Sequence, residues 1–323
     1  MIHVAICLTD TSGHYHKHAL VTAASVLDNT KSGLCLHLVH DETLSPAAEK
    51  AFHDLCVRHG QMLRLHHARE IPEEVEGNVL TFLGKGTLYK TMLPSLLLED
   101  KVLYLDCDII CLCDVATVFQ FDISGYFLGA VKKGQKQALV WCKKLGLRSD
   151  FCINAGVLLM NLDKIRRDIP DYTERLFGVV RGNGTRIGDQ GATNIFFDGK
   201  PDAYVFLPEF CNFLMEQGDN FTLPMKDYQG KILHFAGQKP WEVFSAPSVF
   251  YWKYYAALFP EEDVFARMEA LEPYEYAHLF SFMLRKEPVR RMVNRLCEVE
   301  STGFLHMAAK RLGRSMRRVV GRG

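Results

Sequence analysis

Two aspartates, Asp106 and Asp108, break the otherwise apolar run VLYLDCDIICL at residues 102–112. An unpaired carboxylate is costly to bury, so a strand that reads as core needs a reason to end in two of them. On an extended segment the side chains at i and i+2 point the same way. Asp106 and Asp108 can therefore converge while Cys107 faces the other side. Convergent carboxylates repel unless a cation lies between them, and oxygen ligands suit Mg²⁺ or Mn²⁺. The competing reading is that the pair caps a turn, as Asp does at many strand ends.

Three further strings carry polar groups at apolar boundaries. In ILHFAGQKPW, residues 232–241, His234 follows an apolar pair, and Gly237, Lys239 and Pro240 come after it. A lone histidine there would be an ordinary core residue. An imidazole, a glycine that lets backbone approach a ligand and a cation in one short stretch suit a metal-bound phosphate. In IGDQGATN, residues 187–194, Asp189 reads as a helix N-cap, or with Gln190 as a hydrogen-bonding pair for sugar hydroxyls. In FCINAGVLLMNL, Asn154 opens a buried strand, either as a turn residue or as an amide turned to a ligand.

Other motifs fail. Cys107, Cys111 and Cys113 match no common zinc spacing and read as core thiols. Lys85 is followed by Gly86 rather than Ser or Thr, which excludes a phosphate loop, and no glycine fingerprint follows the first strand. His14, His16 and His18 alternate with Tyr15 and Lys17 and are assigned no metal.

The elements that must position these groups alternate. HVAICL, LCLHLVH, QMLRLHH and KVLYLD read as strands. Between them lie the helical stretches KHALVTAASVLDN, SPAAEKAFHDLCVRHG (Ser45 as N-cap, Pro46 first) and one around TLYKTMLPSLLL. YFLGAV and AGVLLMNL read as later strands, and DKIRRDIPDYTERLFGVVRG as a long helix. This order predicts an α/β fold with a mainly parallel sheet covered by helices on both faces. Ligands of such sheets sit beyond the carboxyl ends of the strands, where Asp10, Asp106 and Asp108 fall. Past Pro247 the pattern turns helical and aromatic. The expected organisation is a nucleotide-binding domain over 1–245 and a helical extension over 246–323.

In this order the four strings resemble glycosyltransferase family 8, the retaining group that includes glycogenin and the bacterial lipopolysaccharide galactosyl- and glucosyltransferases. The resemblance spans about residues 2–241 and implies a GT-A-type fold. It implies that Asp106, Asp108 and His234 bind Mn²⁺ (or Mg²⁺), which holds the diphosphate of a UDP-sugar. Asp10 and Tyr15 would flank the uridine, Gly237 and Lys239 would meet the phosphates, and Asn154, Asp189 and Gln190 would contact the transferred sugar. The first loop is TDTSGHY where the family usually has Asp-Asp-Asn-Tyr. Lys90 in LYKTMLP replaces a common Arg, and lacking a bidentate fork it is expected to make a single charged contact, to phosphate or to Asp108.

The implied activity is a metal-dependent retaining transfer of glucose or galactose from a UDP-hexose to a glycan, lipid-linked glycan or lipopolysaccharide acceptor. A sugar-nucleotide hydrolase or nucleotidyltransferase, or a membrane-associated sugar-nucleotide-binding protein, are the alternatives. Formal net charge is zero, which argues against a nucleic-acid partner for the chain as a whole. From Leu284 onward, however, eleven Lys or Arg face three Glu, leaving −8 for residues 1–283. Phe304, Ala308, Leu312, Met316 and Val320 recur four apart beside Lys310, Arg311, Arg314, Arg317 and Arg318, a pattern that suits an anionic membrane surface. Scattered cysteines and an amino terminus without a basic–apolar leader pattern fit a cytoplasmic protein, peripheral at the membrane's inner face.

Overall fold

In the strand Lys101–Leu105, Leu103 and Leu105 join one hydrophobic cluster and Val102 and Tyr104 another. Successive side chains of a strand point to opposite faces, so this strand is covered on both sides. The computed structural model describes residues 1–78, 84–183, 187–215, 220, 223–237 and 239–273. The chain begins with β1 (Ile2–Cys7), α1 (Tyr15–Asn29), β2 (Leu34–His40), α2 (Pro46–Arg58), β3 (Met62–His67) and the single turn α3 (Glu73–Glu76). A 3₁₀ segment, Lys85–Met92, and α4 (Leu93–Leu96) lead to β4 (Lys101–Leu105), β5 (Ile109–Cys111), α5 (Ala116–Phe119), β6 (Leu128–Lys132) and α6 (Gln135–Leu145). Then come β7 (Ile153–Asn161), α7 (Leu162–Asp168), α8 (Tyr172–Asn183), α9 (Asp189–Phe197), β8 (Tyr204–Phe206), β9 (Phe213–Leu214) and β10 (Ile232–His234). The last elements are β11 (Val243–Phe244), α10 (Ser248–Leu258), α11 (Val264–Ala270) and β12 (Glu272–Pro273).

Seven strands form the main sheet in the order β3-β2-β1-β4-β7-β6-β8, all running one way except β7, which is antiparallel to β4 and β6. That reversal lays the amino end of β7 beside the carboxyl end of β4, with Leu105 opposite Val157. A small second sheet, β5-β10-β9, stands at the same edge. Helices α1, α2 and α10 cover one face through Ile6, Leu38, Phe52 and Tyr251, and α7, α8 and α9 cover the other through Val39, Tyr104, Leu176 and Phe197.

Local chemistry explains the boundaries. Ser45 accepts from the Ala48 N–H at 3.2 Å with Pro46 in the first turn of α2, as expected. Two expectations change. The stretch read as one long helix is two, α7 and α8, because Pro170 has no N–H to continue the first. The segment read as a helix around TLYKTMLPSLLL is mostly 3₁₀, with only one α-helical turn. Helix α10 begins beyond the boundary expected near Ser245, and its Tyr251, Trp252 and Tyr255 pack in the cluster that holds β1 and β2. The basic stripe from Phe304 to Val320 lies outside the described residues.

Candidate active site

The paired acids sit where β4 leaves the sheet. The Asp106 N–H donates to the Gly156 carbonyl at 2.8 Å, extending the β4–β7 ladder by one rung. The chain then turns into β5, whose antiparallel register sets Ile109 opposite His234. The imidazole is thereby placed beside both carboxylates: His234 Nε2 is 3.8 Å from Asp106 Oδ2 and 3.3 Å from Asp108 Oδ1. Asp108 and His234 are buried, and Cys107 turns away to donate to the Cys7 carbonyl.

A relay of amides fixes which imidazole nitrogen faces the acids. The Gly156 backbone N–H donates at 2.9 Å to the Asn154 side chain, so the accepting atom is oxygen, Oδ1. Asn212, fully buried, donates its Nδ2 to that same oxygen at 2.8 Å, and its own Oδ1 is left to accept. The neighbour at 2.9 Å from Asn212 Oδ1 is His234 Nδ1, which must therefore carry the proton. Nε2 is then a lone pair facing two carboxylates. Asp108 Oδ1 is itself buried without a hydrogen-bond donor. Acceptors converging on acceptors call for a cation. Two oxygens and one imidazole fit a divalent metal ion.

Gly156 leaves room for this convergence. A Cβ there would lie 2.1 Å from His234 Cε1 and 2.8 Å from Asp106 Oδ2. Tyr104 adds a donor, its hydroxyl reaching Asp106 Oδ1 at 2.5 Å.

Two lysines complete the electrostatics. Lys90, 3% exposed, contacts Asp106 Oδ1 at 3.0 Å, Asp189 Oδ2 at 2.6 Å and the Ala155 carbonyl at 3.0 Å. The single contact to Asp108 or phosphate expected from sequence is replaced by a bridge between two other acids. Three donors on one compact ammonium make this possible. Burial would lower the Lys90 pKa, but the flanking carboxylates of Asp106 and Asp189 outweigh it and keep the group charged. Burial raises the Asp189 carboxyl, which Lys90 pulls back only in part. Lys239 pairs with Asp108 Oδ2. Burial alone would raise the Asp108 carboxyl, yet the adjacent ammonium holds it well below the usual range. Three acids against two ammonium groups leave a formal −1, which a divalent ion turns to +1, a sign suited to a diphosphate.

Gln190 Oε1 accepts from Asn154 Nδ2 at 3.0 Å and from the Ala155 N–H at 3.3 Å. Asn154, Asp189 and Gln190 thus join the acids in one network. Asp189 is not the helix cap that its position in sequence allowed. Gly188 occupies that place, and the Asp189 carboxylate turns to Lys90. Gly237 has φ +101°, a backbone conformation that favours glycine.

Asp10 and Tyr15 form a second group along the same edge. The Asp10 carboxylate, 3% exposed, accepts from the Tyr15 N–H at 2.6 Å and the His16 N–H at 3.3 Å, and meets His16 Nδ1 at 2.7 Å. It caps α1 and complements the positive end of that helix. Tyr15 stands edge-on to Trp241, and His18 lies flat on the same indole with centroids 3.7 Å apart. Sequence reasoning missed Asn212 and Trp241. Nothing in the string FCNF marks the first, whereas the second closes a motif already singled out.

The profile of Glycosyl transferase family 8 matches residues 3–244. The glycosyltransferase GlyB of Streptococcus pneumoniae is 24% identical over 245 residues, 69% of this chain and 57% of that protein. GlyE of the same organism is 29% identical over 194 residues, 55% of this chain and 43% of that protein. The chain therefore spans about half the length of these two relatives. Among solved structures, the galactosyltransferase LgtC, crystallised with donor and acceptor sugar analogues, superposes with a TM-score of 0.65 at 21% identity. That superposition covers 86% of this chain and 99% of LgtC, and at such identity it concerns the GT-A-type fold alone. With the profile covering the sheet, the paired acids and the histidine motif alike, this chain belongs to Glycosyl transferase family 8.

Proposed function

We propose that the protein transfers a hexose, glucose or galactose, from a UDP-sugar to a glycan or lipid-linked glycan acceptor, retaining the α linkage. The observation that carries this reading is the lone pair of His234 Nε2 set against Asp106 and Asp108, at an edge where ligands of such sheets bind. A divalent ion held there would supply charge stabilisation to the departing diphosphate. Lys239, next to Asp108, adds a cation to the same place, and Gly237 leaves the backbone open to the phosphates. Tyr15 and Trp241 offer apolar faces to a uracil ring. Asn154, Asp189 and Gln190 orient the sugar through its hydroxyls.

Both donors that Gln190 Oε1 accepts come from β7, so its remaining group is an amide N–H. An amide so engaged is a poor nucleophile, which favours front-side attack. The bond from the anomeric carbon to phosphate oxygen breaks, the acceptor oxygen bonds on the same face, and its proton passes to the departing phosphate. A covalent sugar adduct on the wild-type protein is the result that excludes this route.

In the test, chelator-stripped protein is given UDP-glucose or UDP-galactose with and without Mn²⁺ and an acceptor panel. UDP release and product anomericity are followed by NMR. The expected outcome is Mn²⁺-dependent UDP release with an α-linked product. Free sugar alone or released pyrophosphate selects the hydrolase or nucleotidyltransferase, and full turnover without metal overturns the reading. Among the described residues no helix is long and apolar enough to cross a membrane. The basic stripe of residues 304–320 supports peripheral contact with an anionic leaflet, near a lipid-linked acceptor.

A further inference from the structure

Far from the paired acids, toward the amino ends of the strands, a second set of ligand atoms converges. The parallel register sets His3 beside Cys35 and Ala5 beside His37, so His3, Cys35 and His37 project from one face of the sheet. Their donor atoms all lie within 4.8 Å of one another. His3 Nδ1 and His37 Nε2 are 3.0 Å apart, and Glu99, in the turn before β4, brings Oε1 to 3.9 Å from the first and 4.0 Å from the second. The Glu99 side chain is 10% exposed, and its other oxygen, Oε2, is buried without a hydrogen-bond partner. The transfer reaction uses none of these four groups. From His3 to the end of β1 the chain rises about 3.3 Å per residue, so the cluster is on the order of 15 Å from the nucleotide edge.

We propose that His3, Cys35, His37 and Glu99 form a binding site for a transition-metal ion of the Zn²⁺ class, with a structural role. Two imidazoles, a thiolate and a carboxylate are the ligand types that Zn²⁺ takes in tetrahedral sites. Ligand nitrogens about 2.0–2.1 Å from such an ion lie about 3.3 Å from each other, close to the observed 3.0 Å. The carboxylate needs only to move inward by a fraction of an ångström.

The hydrogen-bond pattern orders the tautomers. His37 Nδ1 meets His66 Nε2 at 3.0 Å, so with its proton on Nδ1 it donates there and turns the Nε2 lone pair to the ion. Orienting partners of this kind are the usual second layer of metal-bound histidines. In the metal-free protein His3 Nδ1 donates to the His37 Nε2 lone pair at 3.0 Å, and to ligate an ion His3 moves its proton to Nε2. Without metal, Arg64 supplies the positive charge instead, with Nη1 at 2.5 Å from Glu99 Oε1. Arg64 is half-exposed and can leave to solvent when the ion enters. As the metal–sulfur bond forms, the Cys35 thiol gives its one proton to solvent. The bound ion would tie β1, β2 and the entry to β4 at the end opposite the active site.

The test uses Co²⁺ and Zn²⁺ alone, on the 323-residue chain carrying Asp106→Asn and Asp108→Asn to silence the first site. One Co²⁺ per chain is expected, with thiolate-to-metal charge-transfer absorption that disappears in Cys35→Ser. Two close pairs of thiols, Cys111 with Cys113 and Cys142 with Cys152, could also take Co²⁺, so the Cys35 variant is needed to assign the band. His3→Gln, at a partly exposed position, should weaken Co²⁺ binding on the order of tenfold or more and remove the rise in Tm that Zn²⁺ gives the parent. Absence of a thiolate band in the parent overturns the proposal. So does a band unchanged by Cys35→Ser, or Co²⁺ affinity unchanged by His3→Gln.

Discussion

Asn212 touches no acid directly, yet it decides how His234 presents itself. Its Oδ1 holds the Nδ1 proton and its Nδ2 is held in turn by Asn154. Replacement by Ala frees the imidazole to rotate or change tautomer while leaving Asp106, Asp108 and His234 in the chain. Mn²⁺ affinity, read by the paramagnetic resonance of free Mn²⁺, should fall about 10–100-fold. An unchanged affinity would remove Asn212 from its orienting role. Lys90 poses a different kind of risk, because it neutralises Asp106 and Asp189 at once. Lys90→Met strands buried Asp189 without a counter-charge and should cost about 3–5 kcal/mol in urea unfolding. A loss below about 1 kcal/mol, the range of exposed pairs, would mean that water already screens the bridge. At this scale the sequence was informative wherever a polar group interrupted an apolar run, as at Asp106, Asp108 and His234. It was silent on Asn212, whose partners lie 58 and 22 residues away. It also misassigned the partner of Lys90, since the choice between neighbouring carboxylates depends on a turn of backbone that no spacing encodes.

Among the elements, β7 does most to build the site, because running against its neighbours brings Asn154 and Gly156 to the end of β4. Its hydrophobic length was legible, and its direction was not. Apolar runs buried on both faces look the same read either way, and a parallel sheet was the default. The split between α7 and α8 could have been read from Pro170, whereas the 3₁₀ course of Lys85–Met92 follows from packing beneath Thr9, where a Cβ on Gly86 would lie 2.9 Å from the backbone. Helices α1 and α10 meet at His18, stacked on Trp241 and bonded through Nδ1 to the Tyr251 hydroxyl at 2.6 Å. Burial holds His18 down to about 3, against 6.5 for an unperturbed histidine. Between those values the unfolded chain binds a proton that the folded chain refuses, so stability rises with pH across that window and is lost on acidification. His18→Asn should flatten the slope of unfolding free energy between pH 6.5 and 4. An identical slope in the variant would assign the acid sensitivity to other groups, His37 among them.

For the molecule as a whole, charge is divided rather than absent. Residues 1–283 carry −8 and the remaining forty +8, so the segment that could meet an anionic leaflet is attached to a body that such a leaflet repels. Docking by the tail would then hold the body at the surface with its orientation set by that repulsion. Truncation after Arg285 should release the protein from anionic vesicles in a sedimentation assay while leaving Mn²⁺ affinity unchanged. Equal sedimentation of both forms would assign the stripe another role.

The pairing of β5 with β10 has a further consequence in time. Asp108 and His234 are separated by 126 positions, and at about 5–20 residues per second the ribosome takes on the order of 6–25 s to travel between them. Until the later strand emerges, the nascent chain exposes two acids with neither imidazole nor Lys239 beside them. The Asp108 carboxylate then lacks both groups that the finished fold sets against it. The constellation is complete only when the three-residue β10 pairs with β5 and brings His234 to the acids.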